Sequence, residues 1–464
     1  MGGFFGVAAT DDCVSDVFYG TDYHSHLGTR RGGLAVLNGE GFQRFIHNIE
    51  NAQFRSKFEE DVARLAGSSG VGVISDHEDQ PLIIGSRHGT YAIVTVGKVV
   101  NADALAADAV GRNTHFSEMA GDQVNPTEVV ATVIDRGETI VEGLRLAQDA
   151  IEGSCSILLL TREGLYAARD RFGRTPVVLG RRDGARAATL ESCALPNLGY
   201  EIDRYLGPGE IVHLTPHAAE TVAPPGDHLK ICAFLWVYYG FPASAYEGIN
   251  VEHVRNRCGE ALAAADDQDV DMVAGIPDSG TGHAIGYATA ADVPYRRPFV
   301  KYTPTWPRSF MPQNQAVRDL VAKMKLIPIR EFIQDQRLLF CEDSIVRGTQ
   351  LKDTIQRLYD CGAKEVHMRP ACPPLVFGCK FLNFSQSKSE LALAGRMAIK
   401  ELEGQDADPA EYVNPDGEKH CAMVERIRNR LNLTTLKYQK LEDLVAAIGL
   451  PKEKLCTYCW DGAE

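Results

Sequence analysis

In the first half of the chain, short apolar runs alternate with amphipathic stretches. Runs at 3–8, 32–37, 70–75, 91–100, 156–161, 164–169 and 210–214 have strand length and are bounded by Gly, Asn, Asp or Ser. Segments 42–66, 128–134 and 140–151 carry the helical period. Strands and helices mixed this way predict a layered α+β domain. Pro224-Pro225-Gly226-Asp227 then breaks the pattern and divides the chain into domains 1–228 and 229–464.

The second half has a different rhythm. An apolar, aromatic run, Ile231 to Tyr239, precedes a long helix over 251–265. A strand at 269–274 enters the small-residue loop Gly275-Ile276-Pro277-Asp278-Ser279-Gly280-Thr281-Gly282, and a helix follows over 283–291. The same unit recurs at 337–359, where an apolar run ends at Glu342-Asp343, passes through Ser344-Ile345-Val346-Arg347-Gly348-Thr349 and enters a helix at Leu351. A strand at 365–369 extends the series. Repeated strand, loop and helix predict a mostly parallel α/β sheet with both loops at the carboxyl ends of their strands, where such sheets bind ligands. The acidic 401–416 segment reads as an exposed connection, and the chain shows no internal repeat.

The loop after Glu342-Asp343 has the chemistry of an anion cradle. Backbone N–H groups at the head of a helix point at a phosphate without needing a lysine, hydroxyls of Ser344 and Thr349 add bonds, and Gly348 lets the backbone approach. The two carboxylates cannot touch a phosphate; they accept from ribose hydroxyls or stabilise a bound Mg²⁺ complex. Acids before a hydroxylated anion loop point to a sugar phosphate rather than a nucleoside triphosphate.

Composition narrows the setting. With 464 residues and a formal net charge of −14, a broad nucleic-acid or membrane surface is not expected. No stretch reaches the length of a membrane span, so a cytoplasmic protein is expected. Of twelve cysteines, Cys155, Cys193 and Cys361 read as small core residues. Cys456-Thr457-Tyr458-Cys459 brings two thiols to one side of a turn, an arrangement suited to a metal, a cluster or a redox pair.

The 342–349 stretch resembles the signature of type I phosphoribosyltransferases, which use 5-phosphoribosyl-1-pyrophosphate (PRPP). Over nearly its whole length the chain resembles the amidophosphoribosyltransferase family. The resemblance rests on Gly275-Ile276-Pro277-Asp278-Ser279, Ala284-Ile285-Gly286-Tyr287-Ala288, Arg308-Ser309-Phe310, Met324-Lys325-Leu326 and Asp343-Ser344-Ile345-Val346-Arg347-Gly348-Thr349, with Glu247 to Val251 and Pro373-Pro374 in support. It implies an α+β N-terminal-nucleophile-type glutaminase-like sandwich followed by an α/β type I phosphoribosyltransferase domain with a parallel sheet. The implied reaction is displacement of pyrophosphate from PRPP by ammonia, giving 5-phosphoribosylamine for purine synthesis. In that reading Glu342 and Asp343 hold the ribose and Mg²⁺, and Ser344, Ile345, Val346, Arg347, Gly348 and Thr349 hold the 5-phosphate. Asp278, Ser279, Lys301, Arg308 and Lys325 hold the pyrophosphate and neutralise it as it leaves. The iron–sulfur form of the family implies a [4Fe–4S] cluster on Cys232, Cys379, Cys456 and Cys459; composition alone leaves a zinc site, or two core cysteines and a surface pair, equally open.

The N-terminal half departs from the family where its chemistry lies. The family's mature chain begins Cys-Gly-x-Phe/Val-Gly, with the cysteine as nucleophile. The matching run here is Gly2-Gly3-Phe4-Phe5-Gly6, and Cys13, in an expected helix, is no substitute. The family's His-Arg-Gly-Gln becomes His26-Leu27-Gly28-Thr29, and the segment whose arginine grips the glutamine carboxylate becomes Ser75-Asp76-His77. The oxyanion segment becomes Thr95-Val96-Gly97-Lys98, and the segment that binds the amino group becomes Asn125-Pro126-Thr127-Glu128. Gly2, Ser75, Val96, Gly97 and Pro126 thus stand at degenerate glutaminase positions, without a bidentate carboxylate clamp or an oxyanion donor. Framework residues persist at Gln80-Pro81, Asp170, Gly173-Arg174, Glu191-Ser192 and Pro208-Gly209-Glu210. The loop expected to close over PRPP carries Pro304, Trp306 and Pro307, a stiffer and more apolar lid.

The expected protein is a Mg²⁺-dependent PRPP transferase that uses ammonia or another amine and has no glutaminase activity of its own. The alternative is a silent paralogue that binds PRPP or nucleotide and scaffolds a partner enzyme. A glutaminase or paralogue partner and a homodimer or homotetramer complete the expectation.

Overall fold

A computed structural model describes residues 2–120, 123–301, 326–382 and 392–464. Two antiparallel sheets form the first domain. The seven-stranded sheet runs Glu201–Tyr205, Val178–Arg182, Ala185–Thr189, Gly3–Ala9, Ser69–Ser75, Arg31–Asn38 and Gly41–Asn48. The six-stranded sheet runs Ala219–Ala223, Ile211–Leu214, Leu165–Ala168, Gly153–Leu160, Gly89–Val99 and Leu82–Ser86. Their inner faces interdigitate through Phe4, Val71 and Val73 on one side and Val94, Leu158 and Leu160 on the other. Gly6 sits where they come closest; a Cβ there would lie 2.8 Å from the side chains of Leu158 and Leu165. Helices Val14–Asp22 and Phe54–Val62 cover the outer face of the first sheet, and Pro126–Ile134 and Ile140–Ala150 that of the second.

The helix expected over 42–66 is corrected to a strand and a shorter helix. Gly41–Asn48 pairs with Arg31–Asn38 across a tight turn, in which the Asn38 side-chain oxygen accepts from the backbone N–H of Glu40 and Gly41 at 2.9 and 3.1 Å. As an edge strand it is half-exposed along its length, so no two-residue alternation marks it. The hairpin of Val178–Arg182 and Ala185–Thr189 carries a weak strand signal for a related reason: arginines at 181, 182 and 186 interrupt its apolar run.

In the second domain four parallel strands lie in the order Met272–Gly275, Arg337–Glu342, Glu365–Pro370, Thr435–Leu436. Leu339 and Cys341 face the helices Val251–Ala264 and Thr281–Ala291. Leu338 and Phe340 face Thr349–Asp360, Ala394–Glu403 and Glu418–Leu431. The expected parallel sheet is present, covered on both faces. The acidic 401–416 segment is not all exposed connection. Its Pro409–Tyr412 turn buries Tyr412 in the second core, where the Tyr412 carbonyl meets His420 Nδ1 at 2.8 Å.

The junction is held by backbone and by buried polar side chains. The Lys230 and Cys232 N–H groups donate to the Phe172 and Arg174 carbonyls at 2.7 and 3.1 Å, and Ile231–Cys232 pairs in parallel with Leu455–Cys456 of its own domain. Arg169, fully buried, meets Glu247 at 2.8 Å, and the Tyr246 hydroxyl donates to the Glu191 carboxylate at 3.0 and 3.1 Å. His24 is buried against Gly20, Thr189 and Glu191, and burial lowers its pKa to about 4. His283, equally buried, is lowered to about 4 by burial and then by Arg255. Between pH 6.5 and 4 the unfolded chain binds protons that the folded chain refuses, so stability falls as pH is lowered through that window. Going from pH 7 to 5 should cost about 2 kcal/mol for each imidazole. Thermal melts across that range check this; a flat melting temperature contradicts it.

Candidate active site

Glu342 closes the Arg337–Glu342 strand, one residue past Cys341, the register partner of Gly275 at the end of the neighbouring strand. The loop that leaves Gly275 packs on the end of the Arg337–Glu342 strand: a Cβ on Gly280 would lie 2.3 Å from the Cys341 carbonyl oxygen. Loop 343–348 ends at Gly348, which takes φ +76° as the cap of helix Thr349–Asp360, a conformation that favours glycine. The first N–H groups of a helix have no intrahelical carbonyl to donate to, which suits this loop to an anion.

The acid pair is buried, with Glu342 8% and Asp343 5% exposed. Ser279 Oγ donates to Glu342 Oε1 at 3.2 Å, and Ser344 Oγ to Asp343 Oδ2 at 2.6 Å. Burial, then the neighbouring Asp343, pushes the Glu342 carboxyl well above the usual carboxylate range. Lys301 Nζ sits 2.5 Å from Asp278 Oδ2, both side chains open to solvent. The structure thus brings together Asp278, Ser279, Lys301, Glu342, Asp343 and the 344–349 loop. Arg308 and Lys325, with the rest of the expected closing loop, lie outside the described residues.

Two groups near the acids were not foreseen. Arg255, 4% exposed, spends its guanidinium on the carbonyls of Trp236 (3.1 Å), Tyr238 and Gly240 (both 2.9 Å), while feeling the charge of Asp343. His283 Nε2 lies 3.1 Å from the Val237 carbonyl and also feels Asp343. Both sit on helices that pattern reading assigns only to packing, and nothing local in the sequence distinguishes them.

The cysteines far apart in sequence converge. Cys232 and Cys456 are register partners, and the Cys459 carbonyl accepts from Val376 and Phe377 N–H groups at 3.2 Å. Cys379 Sγ accepts from the Leu382 N–H at 3.4 Å. Burial comes first in pushing the thiols of Cys232, Cys379 and Cys459 up, and each also feels others of the four cysteines. Backbone N–H groups of Phe234 and Leu235 aim at Cys232, and those of Phe381 and Leu382 at Cys379. Such donors favour thiolate. Among the described residues no three His, Cys, Asp or Glu side chains close around a single ion. All twelve cysteines are free.

In the first domain, the residues expected at the family's glutaminase positions are packed. A Cβ on Gly2 would lie 2.3 Å from the Ile74 carbonyl oxygen. Ser75 accepts from the His77 N–H at 3.2 Å, and Asp76 accepts from the Thr29 N–H at 2.7 Å. Val96 is buried, and Gly97, at φ +144°, lies so close to Ser154 that a Cβ would fall 1.9 Å from its carbonyl oxygen. Pro126 is the first residue of its helix, capped by Asn125, whose side-chain oxygen accepts from Thr127 N–H at 2.9 Å. Cys13, the cap of the Val14–Asp22 helix, is buried, and burial raises its thiol pKa.

A glutamine amidotransferase domain model matches residues 64–195. The chloroplastic amidophosphoribosyltransferase of Vigna aconitifolia is 33% identical over 391 residues, covering 81% of this chain and 78% of that protein. The chain belongs to the amidophosphoribosyltransferase family. The Methanothermobacter thermautotrophicus amidophosphoribosyltransferase is 28% identical over 97% of this chain and 90% of its own. A solved glutamine phosphoribosylpyrophosphate amidotransferase from B. subtilis, complexed with ADP and GMP, superposes with TM-score 0.85 at 25% identity, covering 99% of this chain and 96% of that one. Amidophosphoribosyltransferase relatives therefore span both domains, and the family assignment does not rest on the transferase half alone. Among the described residues no helix is long and apolar enough to cross a membrane.

Proposed function

We propose that the chain is a PRPP-dependent transferase that forms 5-phosphoribosylamine from PRPP and ammonia, and that its glutaminase half no longer hydrolyses glutamine. The observation that carries this reading is the buried Glu342-Asp343 pair at a strand's carboxyl end, running into a donor loop closed by Gly348. Glu342 and Asp343 accept from the ribose hydroxyls, which fixes the sugar ring. N–H groups of 344–349 hold the 5-phosphate. Lys301, paired with Asp278, faces the departing pyrophosphate with Ser279 beside it; Arg308 and Lys325 are proposed for the same task. The ammonia lone pair forms the N–C1 bond while the C1–O bond breaks, pyrophosphate leaves with the electron pair, and the nitrogen then releases a proton to solvent. No general base is required, because free ammonia is already a nucleophile; positioning and charge neutralisation supply the rate.

Two carboxylates suit Mg²⁺, which is held by one or two protein acids plus substrate phosphates, and it would neutralise diphosphate charge here. The donor set of Cys232, Cys379, Cys456 and Cys459, with N–H groups aimed at two of the sulfurs, fits a [4Fe–4S] cluster, which would tie the end of the chain to the domain junction.

The test is pyrophosphate release from PRPP by the pure chain, with NH₄Cl against glutamine. Turnover with NH₄Cl alone is expected. Turnover with glutamine would refute the loss of the glutaminase, and PRPP binding without turnover on any amine would favour the silent, scaffolding paralogue. We further expect that Gly2→Cys does not restore glutamate release. Its Cβ has no room beneath Ile74, the carboxylate clamp is still missing, and overpacking should cost about 1–3 kcal/mol. Glutamate formation by this variant, measured against the parent chain, would contradict that account.

A further inference from the structure

The four converging cysteines come from three segments of the second domain, and one residue of the first domain reaches all three. Arg174 is only 5% exposed, yet among the described residues it forms no ion pair; Asp170 and Glu464 feel its charge without pairing with it. Its guanidinium donates to the Gly153 carbonyl at 3.4 Å, and its Nε has no partner. Hydrogen bonding therefore does not account for the burial of this charge, which is costly unless its surroundings compensate. What surrounds it is aromatic. The guanidinium carbon lies 4.8 Å from the centre of the Phe172 ring and 3.7 Å from that of Phe381, inside cation–π range of both.

Phe381 belongs to the second domain, two residues past Cys379, and its N–H is one of the two aimed at the Cys379 sulfur. Its ring meets that of Tyr458 edge to face at 5.3 Å, and Tyr458 lies between Cys456 and Cys459. The Arg174 carbonyl accepts from the Cys232 N–H at 3.1 Å. One arginine thus holds the Cys232 segment by its backbone, the Cys379 segment by stacking, and the 456–459 turn at one remove. Four thiolates around a cluster carry net negative charge, so cations of the first domain add attraction. The Cys379 thiol, raised by burial, also feels the charge of Lys98, at the end of the Gly89–Val99 strand.

We propose that Arg174 is a positioning residue for the four-cysteine group: through the Arg174–Phe381–Tyr458 stack the first domain holds the cysteine segments together around the cluster and slows its loss. This gives the first domain a task that needs no glutamine. The inference rests on the cluster reading of Cys232, Cys379, Cys456 and Cys459.

The test follows the visible absorption of the anaerobically purified, iron-loaded chain while excess chelator removes the iron. Arg174→Met, which keeps the length and removes the charge, should lose the cluster roughly tenfold faster than the parent, the scale of one desolvated cation–π contact. Arg174→Lys, which keeps a cation over the ring, should fall between the two. Phe381→Leu should be at least as fast as Arg174→Met, and the double variant no faster than Phe381→Leu alone. Arg182→Met is the control for general loosening, because Arg182 also stacks, 4.4 Å over Tyr200, and pairs with Asp16, all within the first domain. It should lower the melting temperature and leave the rate of cluster loss unchanged. Unchanged cluster loss in Arg174→Met, or equally fast loss in Arg182→Met, overturns this inference alone. A parent chain that holds no iron overturns the cluster reading and this inference with it.

Discussion

Asp343→Asn and Glu342→Gln are each expected to slow ammonia-driven pyrophosphate release by roughly 100- to 1,000-fold, the usual cost of removing one preorganised polar group from a reacting centre. The two differ in what they do to the free protein. Burial and Asp343 raise the Glu342 pKa in the folded state above its ordinary value of 4.5. A carboxyl raised in this way contributes stability that is complete below the ordinary pKa and is lost as pH rises through the folded value. Glutamine mimics the protonated form, so Glu342→Gln should be more stable than the parent at pH 8, with the gain fading towards pH 4. Melting curves at those pH values, beside the rate assay, check both halves. A variant that stays active, or one less stable at every pH, would remove Glu342 from the proposed role. A gain in stability with a loss of rate is what a site strained for function gives.

Cys459→Ser is the second large change, expected to abolish iron and sulfide binding in anaerobically purified protein. Where a bound group holds only the folded state, its binding free energy is folding free energy. The loss should therefore amount to at least about 4 kcal/mol and appear first as protease cleavage near the C-terminus. Cys361→Ser is the control: that thiol lies in the other core, away from the four, and should leave the iron content intact. Normal iron in Cys459→Ser, or none in the parent, would sink the cluster assignment.

Much of this was legible in sequence because the signals were local. The parallel sheet followed from apolar runs ending in small-residue loops, and Gly348 announced its own conformation. Gly41–Asn48 was read as helix because an edge strand exposes both faces and hides its period. Arg255 and His283 stayed invisible for another reason. Their hydrogen bonds end on carbonyls of 236–240, and they feel the charge of Asp343 only because the fold sets their helices nearby. The cysteines were intermediate: the 456–459 pair stood out, but Cys232 and Cys379 looked like ordinary core residues until a family pattern and then the fold joined them.

The pairing of Ile231–Cys232 with Leu455–Cys456 has a bearing on modularity. It sets the entry and the exit of the second domain side by side, so the intervening 222 residues form one closed excursion. A unit built this way can be cut out, transplanted or permuted without stretching its backbone. A unit closed in this way keeps its own sheet and core whatever becomes of the domain before it.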